Sequence, residues 1–208
     1  MCIRDSINNI QDAIVAIEHE LGKNPSGDYA TVRERLDSIT PGGRWQLVEE
    51  AVLTSAVQSY TFSNLDGDSD EEYLLDFRIR SQHDYTANYI LRFNGDEGGN
   101  YDWQRLMSHS STTESYGYSS DSGIRIVRQM DGPANILFGQ ALIFAKSGYL
   151  RTVMAHSECY WATGGNIWIF YYGGNWRNTE DNITSITLRS TSSVGLGVDT
   201  ILRLYKKA

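Results

Sequence analysis

Three aspartates at alternate positions, Asp66, Asp68 and Asp70, form the motif in this sequence that is best suited to a metal ion. A tight turn with this spacing can direct several carboxylate oxygens at one Ca²⁺. The segment is not an EF-hand loop, because its glycine stands second instead of sixth and Phe77 fills the twelfth position, where that loop has glutamate. The favoured alternative is a solvated acidic turn that keeps a sheet edge from pairing with neighbours. We therefore expect no cofactor, with Ca²⁺ at Asp66, Asp68 and Asp70 as the single candidate.

A second turn, residues 94–100, is also rich in Asp, Asn and Gly. It begins with an Asn-Gly pair, which is typical of a hairpin loop. Alone it predicts only a turn, but it would add ligands to the first turn if both lay at one end of the fold.

Aromatic residues crowd the segment 160–176, where asparagine and arginine are interleaved with them. Aromatic faces flanked by planar polar groups suit sugar rings, which stack on the rings and hydrogen-bond through their hydroxyls. Trp161 and Trp176 lie next to turns, so we expect these two rings to be exposed. The predicted glycan contacts are Trp161, Tyr172, Asn175, Trp176 and Arg177.

The alternative for this segment is packing. In a strand, Trp168, Phe170 and Tyr172 would fill a core, while Ile167, Ile169 and Tyr171 would pack against neighbouring subunits of a trimer.

No motif predicts catalysis, and we expect a protein that is not an enzyme. The four histidines are far apart, and no His-x-Glu, Cys-x-x-Cys or Gly-x-Ser-x-Gly motif occurs. The serine-rich stretch 108–122 is interpreted as a loop. Asp76, Asp102 and Glu158 lie on or near expected strands, and they would serve glycoside cleavage only if the fold brought two of them together.

Composition and charge argue against nucleic-acid binding, a membrane-spanning segment and a disulfide scaffold. The 208 residues include 18 Lys and Arg against 26 Asp and Glu, giving a formal net charge of -8, and no basic run occurs. Nucleic-acid binding is therefore disfavoured. Apolar runs such as 167–172 are far too short to span a bilayer, so no membrane segment is expected. The two cysteines lie far apart in the sequence, which excludes a disulfide scaffold.

Residues 1–6 resemble the translation of a sequencing adapter, so we expect a scar there and a native chain that was longer. Residues 7–40 are predicted to form a helical stem and linker, because apolar residues recur at heptad spacing. Isoleucine at both inward heptad positions favours a trimer over a dimer. The alternative is a lone amphipathic helix packed on its own domain. The predicted oligomer interface is Ile7, Ile10, Ile14, Ile17 and Leu21.

From Trp45 onwards the apolar period changes to two, as in Tyr73, Leu75, Phe77 and Ile79. About ten short runs of this kind, separated by Gly, Asn and Asp turns, indicate strands. Residues 45–208 are therefore predicted to form an antiparallel β-sandwich of jelly-roll type, and the fold class is mainly β with a helical, coiled-coil-like stem.

Two segments carry a resemblance to a known family. Residues 20–32, ELGKNPSGDYATV, followed by Arg35-Leu36-Asp37, resemble a linker that recurs in tailed-bacteriophage virion structural proteins. Residues 178–186 and 195–205 are similar to the closing strands of phage fibre or head-decoration domains. The resemblance implies a non-enzymatic, trimeric protein on the virion surface, joined to other virion proteins through the missing N-terminal part.

The sequence therefore predicts a homotrimeric virion accessory protein, a fibre, spike or capsid-decoration subunit. Its head would attach the particle to host-surface or environmental glycans. Two alternatives are a glycan depolymerase on the virion and a purely architectural decoration protein without a ligand.

Overall fold

The computed structural model describes residues 45–81, 85–130, 136–161, 164–193 and 195–207, together with Val15, Ile17, Asp28, Ala30 and Thr31. The chain divides into two compact units, Met1–Arg44 and Trp45–Ala208.

In the first unit, Val15 and Ile17 are helical, and their side chains are 63% and 57% exposed. Ile7, Ile10, Ile14 and Leu21 lie outside the described residues, as does most of the predicted stem. The stem and its trimer seam therefore stay predictions.

The described part of the second unit contains twelve strands and one short helix. The strands are β1 (Trp45–Val52), β2 (Ser59–Ser63), β3 (Glu72–Arg80), β4 (Ala87–Phe93), β5 (Tyr101–His109), β6 (Thr112–Asp121), β7 (Ile124–Gln129), β8 (Ile136–Phe144), β9 (Arg151–Trp161), β10 (Asn166–Trp176), β11 (Ser185–Ser190) and β12 (Ile201–Lys207). The helix α1 (Gly67–Asp70) is a single turn between β2 and β3.

The strands form two sheets in which all neighbours are antiparallel. The larger sheet has the order β1-β12-β3-β8-β9-β10-β5-β6, and the smaller has the order β2-β11-β4-β7. The larger sheet has four more strands than the smaller one. We call its last four strands, β9, β10, β5 and β6, the extension. The mainly β prediction with two antiparallel sheets is confirmed.

The sheets face each other across one core, because alternate side chains on most of the strands point inwards. In β3, Tyr73, Leu75, Phe77 and Ile79 are buried while the residues between them are half-buried or exposed. Phe62, Leu91 and Leu188 contribute the opposite layer from the smaller sheet. Burying one such side chain contributes about 1.5–3 kcal/mol, so alternation alone supplies a large stabilisation.

Strand β6 corrects the interpretation of residues 108–122 as a loop. Its side chains from Thr112 to Ser120 are all exposed, so the segment lacks the apolar alternation by which strands are recognised. It is a strand because its backbone pairs with β5 along nearly its whole length. Backbone pairing requires no particular side chain, and a serine-rich segment can therefore complete a sheet.

The boundary between two strands also differs from the expectation. The run from Tyr160 to Tyr172, which its apolar pattern predicts to be one strand, is divided: Tyr160 and Trp161 end β9, and Asn166 begins β10. Gly165, with a φ of +64°, lies in the turn between them, a conformation that glycine adopts without strain.

Among the described residues, no helix is long and apolar enough to cross a membrane.

Candidate functional site

The acidic turn of α1 is a structural junction. Asp66 caps the helix through a hydrogen bond from the Ser69 amide, at 3.2 Å. Asp68 accepts a hydrogen bond from the Ser147 amide at 2.6 Å, and this bond lowers the pKa of the Asp68 carboxyl. Asp70 accepts from the Tyr73 hydroxyl and pairs with Lys206 at 2.8 Å. Each carboxylate is therefore engaged by a different neighbour.

The two acidic turns do lie at the same end of the sandwich, and Asn182 joins them. Its side-chain amide donates to Asp66 at 2.9 Å, and its main-chain carbonyl oxygen accepts from the Asn94 side chain at 2.7 Å. Asn94 in turn accepts from the Thr184 amide at 2.8 Å. Sequence reasoning assigned no role to Asn182, because its partners are 88 and 116 positions away.

Among the described residues, no group of three or more His, Cys, Asp and Glu side chains is placed to hold a metal ion. Ca²⁺ at Asp66, Asp68 and Asp70 stays a prediction.

Trp176 corrects the expectation that this ring is exposed, since only 1% of it is accessible. Its ring stacks on Tyr101, and its indole N–H donates to Asp96 at 2.7 Å. Burial alone would raise the pKa of Asp96, but hydrogen bonds from Trp176, the Asn100 side chain and the Gly98 amide lower it. Trp176 therefore belongs to the core, held at its polar edge by a carboxylate.

The other predicted glycan contacts are divided among different surroundings. Tyr172 is buried at 2% exposure, and Trp161 packs partly against the core. Trp161 pairs with Asn166, ten residues along β10 from Trp176, which is about 33 Å at about 3.3 Å per residue. These rings cannot contact one sugar together.

Only Asn175 and Arg177 of that set meet, through Asp102. The Asn175 side chain donates to Asp102 at 3.5 Å, and Arg177 Nε lies 3.8 Å from the same carboxylate. Arg177 also donates to the Gly99 carbonyl oxygen and, at 3.1 Å, to the Ser120 hydroxyl.

A groove of about 930 Å³ lies beside this group, on the outer face of the extension. Its floor is a row of directly paired residues, one from each of the four strands: Met154, Gly173, Gln104 and Gly117. A Cβ added at Gly173 would meet nothing within 4 Å, so the backbone itself is open to the groove there.

The neighbouring rows supply different chemistry on the two sides of that floor. One row, Thr152, Asn175 and Asp102, carries a hydroxyl, an amide and a carboxylate. The other row includes Tyr171 and Leu106, which are 59% and 50% exposed. An aromatic ring thus faces planar polar groups across a floor with glycine at two positions.

Beyond Tyr171 the same outer face becomes apolar. We call this region the apolar half. Ile169 and Phe138 both neighbour Glu158 of β9, and Ile167 pairs with Tyr160. The members are 43–56% exposed: Ile136, Phe138, Tyr160, Ile167 and Ile169. On β10 itself, Trp168 and Phe170 point into the core, as the packing alternative expected.

The carboxylates considered for catalysis are spread over the larger sheet. Asp102 pairs with Asn175 and Glu158 with Ile169, six residues apart on β10, or about 20 Å. Asp76 is engaged by Arg203 at 3.5 Å. The thiol of Cys159 is also fully buried, and burial raises its pKa. A buried, protonated thiol is a poor nucleophile.

Comparisons of this chain with protein-family models, with curated proteins and with solved structures found no match.

Proposed function

We propose that this protein is a non-enzymatic attachment protein that binds a saccharide chain in the groove of the extension. The observation that carries the proposal is the juxtaposition, over an open floor, of exposed Tyr171 with Asn175 and Asp102.

The chemistry of the groove supports a sugar ligand. A pyranose ring stacks on an aromatic face through its C–H groups, while its hydroxyls need planar donors and acceptors nearby. Gly173 lets a flat ring approach the backbone closely. The volume of about 930 Å³ falls at the upper end of small-molecule sites, and it suits several consecutive sugars.

The strand order supports a jelly roll as the finer description of the head. When the extension is set aside, the larger sheet keeps four strands, β1, β12, β3 and β8. These lie opposite the four strands of the smaller sheet, β2, β11, β4 and β7. Two four-stranded antiparallel sheets interleaved in this order correspond to two Greek keys. Jelly rolls occur in viral capsid and lectin domains, which agrees with display and binding.

The homotrimer belongs to the same proposal. The heptad stripe from Ile7 to Leu21 favours three helices, and the apolar half offers each head a surface that a second copy would cover. The three grooves of one trimer raise the effective concentration of binding sites near a saccharide surface, so modest affinity at each head gives firm adhesion.

The placement on a phage virion rests on the resemblance of residues 20–32, 178–186 and 195–205 to virion structural proteins. A subunit displayed on the virion surface and joined to other virion proteins would use its groove to attach the particle to surface glycans.

A depolymerase is the rival function, and the separation of Asp102 from Glu158 speaks against it. Glycoside cleavage requires two carboxyl groups about 5–10 Å apart, whereas these two strand positions are about 20 Å apart. The architectural alternative requires no ligand in the groove.

The test is retention of the protein on immobilised host polysaccharide, with analysis of the polysaccharide for new reducing ends. Retention without cleavage is expected. Tyr171→Ala should weaken retention about 5- to 10-fold per site, the effect of losing about 1–1.4 kcal/mol of ring contact. Gly173→Val should also weaken it, because the added side chain fills the floor without displacing a neighbour.

Tyr149→Ala is the matched control, since Tyr149 is 60% exposed and lies outside the groove. New reducing ends would instead support the depolymerase. Absence of retention on every glycan tested would support the architectural alternative and overturn the proposal.

A further inference from the structure

Three arginines converge on the inner face of the extension, on the opposite side of the sheet from the groove. We call them the arginine cluster: Arg105 of β5 with Arg125 and Arg128 of β7. Arg105 is the direct cross-strand neighbour of Tyr172. Arg105 is 7% exposed and Tyr172 is 2% exposed. All three guanidinium groups act electrostatically on the Tyr172 hydroxyl, and Arg105 lies near enough to donate to it, although no hydrogen bond of regular geometry joins the two.

Aromatic rings hold two of these guanidinium groups in place. Arg125 lies over the Trp103 ring, 4.4 Å from its centroid, and Arg105 lies 5.8 Å from the centroid of Tyr116. Stacked guanidinium groups keep their N–H edges available for planar acceptors. A hollow of about 380 Å³ is lined by Arg105 and Tyr116 together with Gln104, Ser115 and Gly117.

Three buried polar atoms here lack a hydrogen-bond partner among the described residues. They are Arg105 Nε, Arg125 Nε and the Tyr172 hydroxyl. A buried polar atom without a hydrogen bond costs about 1–3 kcal/mol, so three in one place are a substantial penalty. All three are donors or can donate, and the missing component is therefore an acceptor.

The charges around the cluster are also unbalanced. Asp121 lies 3.9 Å from Arg125 Nε, and it already accepts the Trp103 indole N–H at 2.8 Å. Glu114 acts on Arg128 from a distance and is half exposed beside His109. Burial, followed by repulsion from Arg105, lowers the pKa of Arg128. In a chain of formal net charge -8, this concentration of positive charge stands out.

We propose that the arginine cluster is a binding site for an oxyanion, either a carboxylate or a sulfate or phosphate group, whose oxygens accept from Arg105, Arg125, Arg128 and Tyr172. Guanidinium groups bind such anions through paired N–H donors, and a tyrosine hydroxyl adds a further donor. The site goes beyond the proposed groove and does not depend on it, because it lies on the other face of β5 and β10.

The chemistry leaves two sources for the anion, a free inorganic anion or the acidic group of a saccharide. Sulfate and glucuronate serve as the two probes. Each is titrated into the full chain while thermal unfolding is followed, with sodium chloride holding the ionic strength constant. Saturable stabilisation by at least one probe is expected, because binding to the native state raises its stability.

Arg128→Gln is the test variant, because Arg128 is partly exposed and the described residues around it act on its side chain through burial and charge, not through hydrogen bonds. It should weaken anion binding at least about tenfold, equivalent to about 1.4 kcal/mol. Without anion, the variant should be as stable as the parent or more stable, because like charges no longer repel. Arg78→Gln, at an exposed position on the outer face of β3, is the matched control.

The outcomes separate the readings. A response to both probes marks a site for the oxyanion alone, and a response to glucuronate alone marks a saccharide carboxylate. No saturable response to either probe overturns the proposal. A fall in stability of Arg128→Gln with an unchanged anion response would also overturn it, since the arginine would then be structural. Retention of neutral polysaccharide by this variant keeps the result independent of the groove.

Discussion

Strands β10 and β6 both pair with β5, one on each side, and their side chains could hardly differ more. β10 buries Trp168, Phe170, Tyr172 and Trp176 and presents large apolar residues outwards as well. β6 exposes every side chain from Thr112 to Ser120. Two neighbours of one strand thus show that backbone pairing builds the sheet, whereas the opposite layer determines which side chains a strand can carry.

The difference follows from the unequal size of the two sheets. Four strands of the smaller sheet face eight of the larger, and β7, at the edge of the smaller sheet, packs on β5, β8, β9 and β10. β6 lies one strand further out than β5. Tyr118 stacks on Trp103, Tyr116 contacts the same ring at a tilt, and both tyrosines remain about half exposed. No described strand of the smaller sheet covers β6, so its inward side chains have no core to fill and can be polar.

The largest expected effect on this comparison is at the buried end of β10. Trp176→Ala removes a fully buried ring together with its hydrogen bond to Asp96, and it should lower the free energy of unfolding by about 3–5 kcal/mol. Urea denaturation followed by far-UV circular dichroism measures this change.

Trp161→Ala is the matched control, because Trp161 ends β9 and is only partly buried. A smaller loss, about 1–2 kcal/mol, is expected there. Equal and small losses for both variants would mean that the end of β10 is not covered, and the contrast with β6 would fail.

An intermediate effect is expected at Asp96, which anchors the Trp176 indole. Asp96→Asn should cost about 1–2 kcal/mol near neutral pH, because a charged acceptor is replaced by a neutral one. The pKa of Asp96 is lowered in the folded protein, so its contribution is full above the unfolded-state pKa of about 3.9 and is lost as the pH falls through the folded value.

The measurement is the melting temperature of parent and variant between neutral pH and the acid range. The difference between the two should shrink as the pH falls below about 3.9, because the carboxyl of the unfolded parent then takes up a proton while that of the folded parent still resists protonation. A difference that stays constant across the acid range would assign the cost to packing instead of charge.

The smallest effect is expected in β6. Thr113→Ala removes an exposed side chain and should change the free energy of unfolding by less than about 0.5 kcal/mol. Native-state hydrogen exchange sharpens the comparison, since β6 amides should exchange faster than those of β10. Protection of β6 equal to that of β10 would require a second layer over β6.

The strands with one buried face could be predicted from the sequence, and β3 illustrates why. Alternation from Tyr73 to Ile79 records on the sequence itself that one face of the strand meets a core. β6 leaves no such record. The run from Tyr160 to Tyr172 predicts a single strand, and the structure divides it between β9 and β10, because an apolar run does not mark where the chain reverses.

The site was harder to predict, because its residues are close only in the folded chain. The predicted glycan contacts all come from one continuous segment, residues 161–177. The floor of the groove instead combines one residue from each of four strands, Met154, Gly173, Gln104 and Gly117. Strand register brings such positions together, and no local spacing reveals it. The arginine cluster could not be predicted from the sequence for the same reason, since Arg105 and Arg128 belong to strands of different sheets and interact only in the folded chain.

The order of residues by itself determined that this protein is a two-layered β structure, because polar and apolar side chains alternate with the period of a β-strand, which is two residues. Only the tertiary structure decided that the Trp176 ring is covered and the Tyr171 ring is open. Whether a given aromatic ring faces solvent depends on what packs over it, and that is set by strand order and by the unequal width of the two sheets.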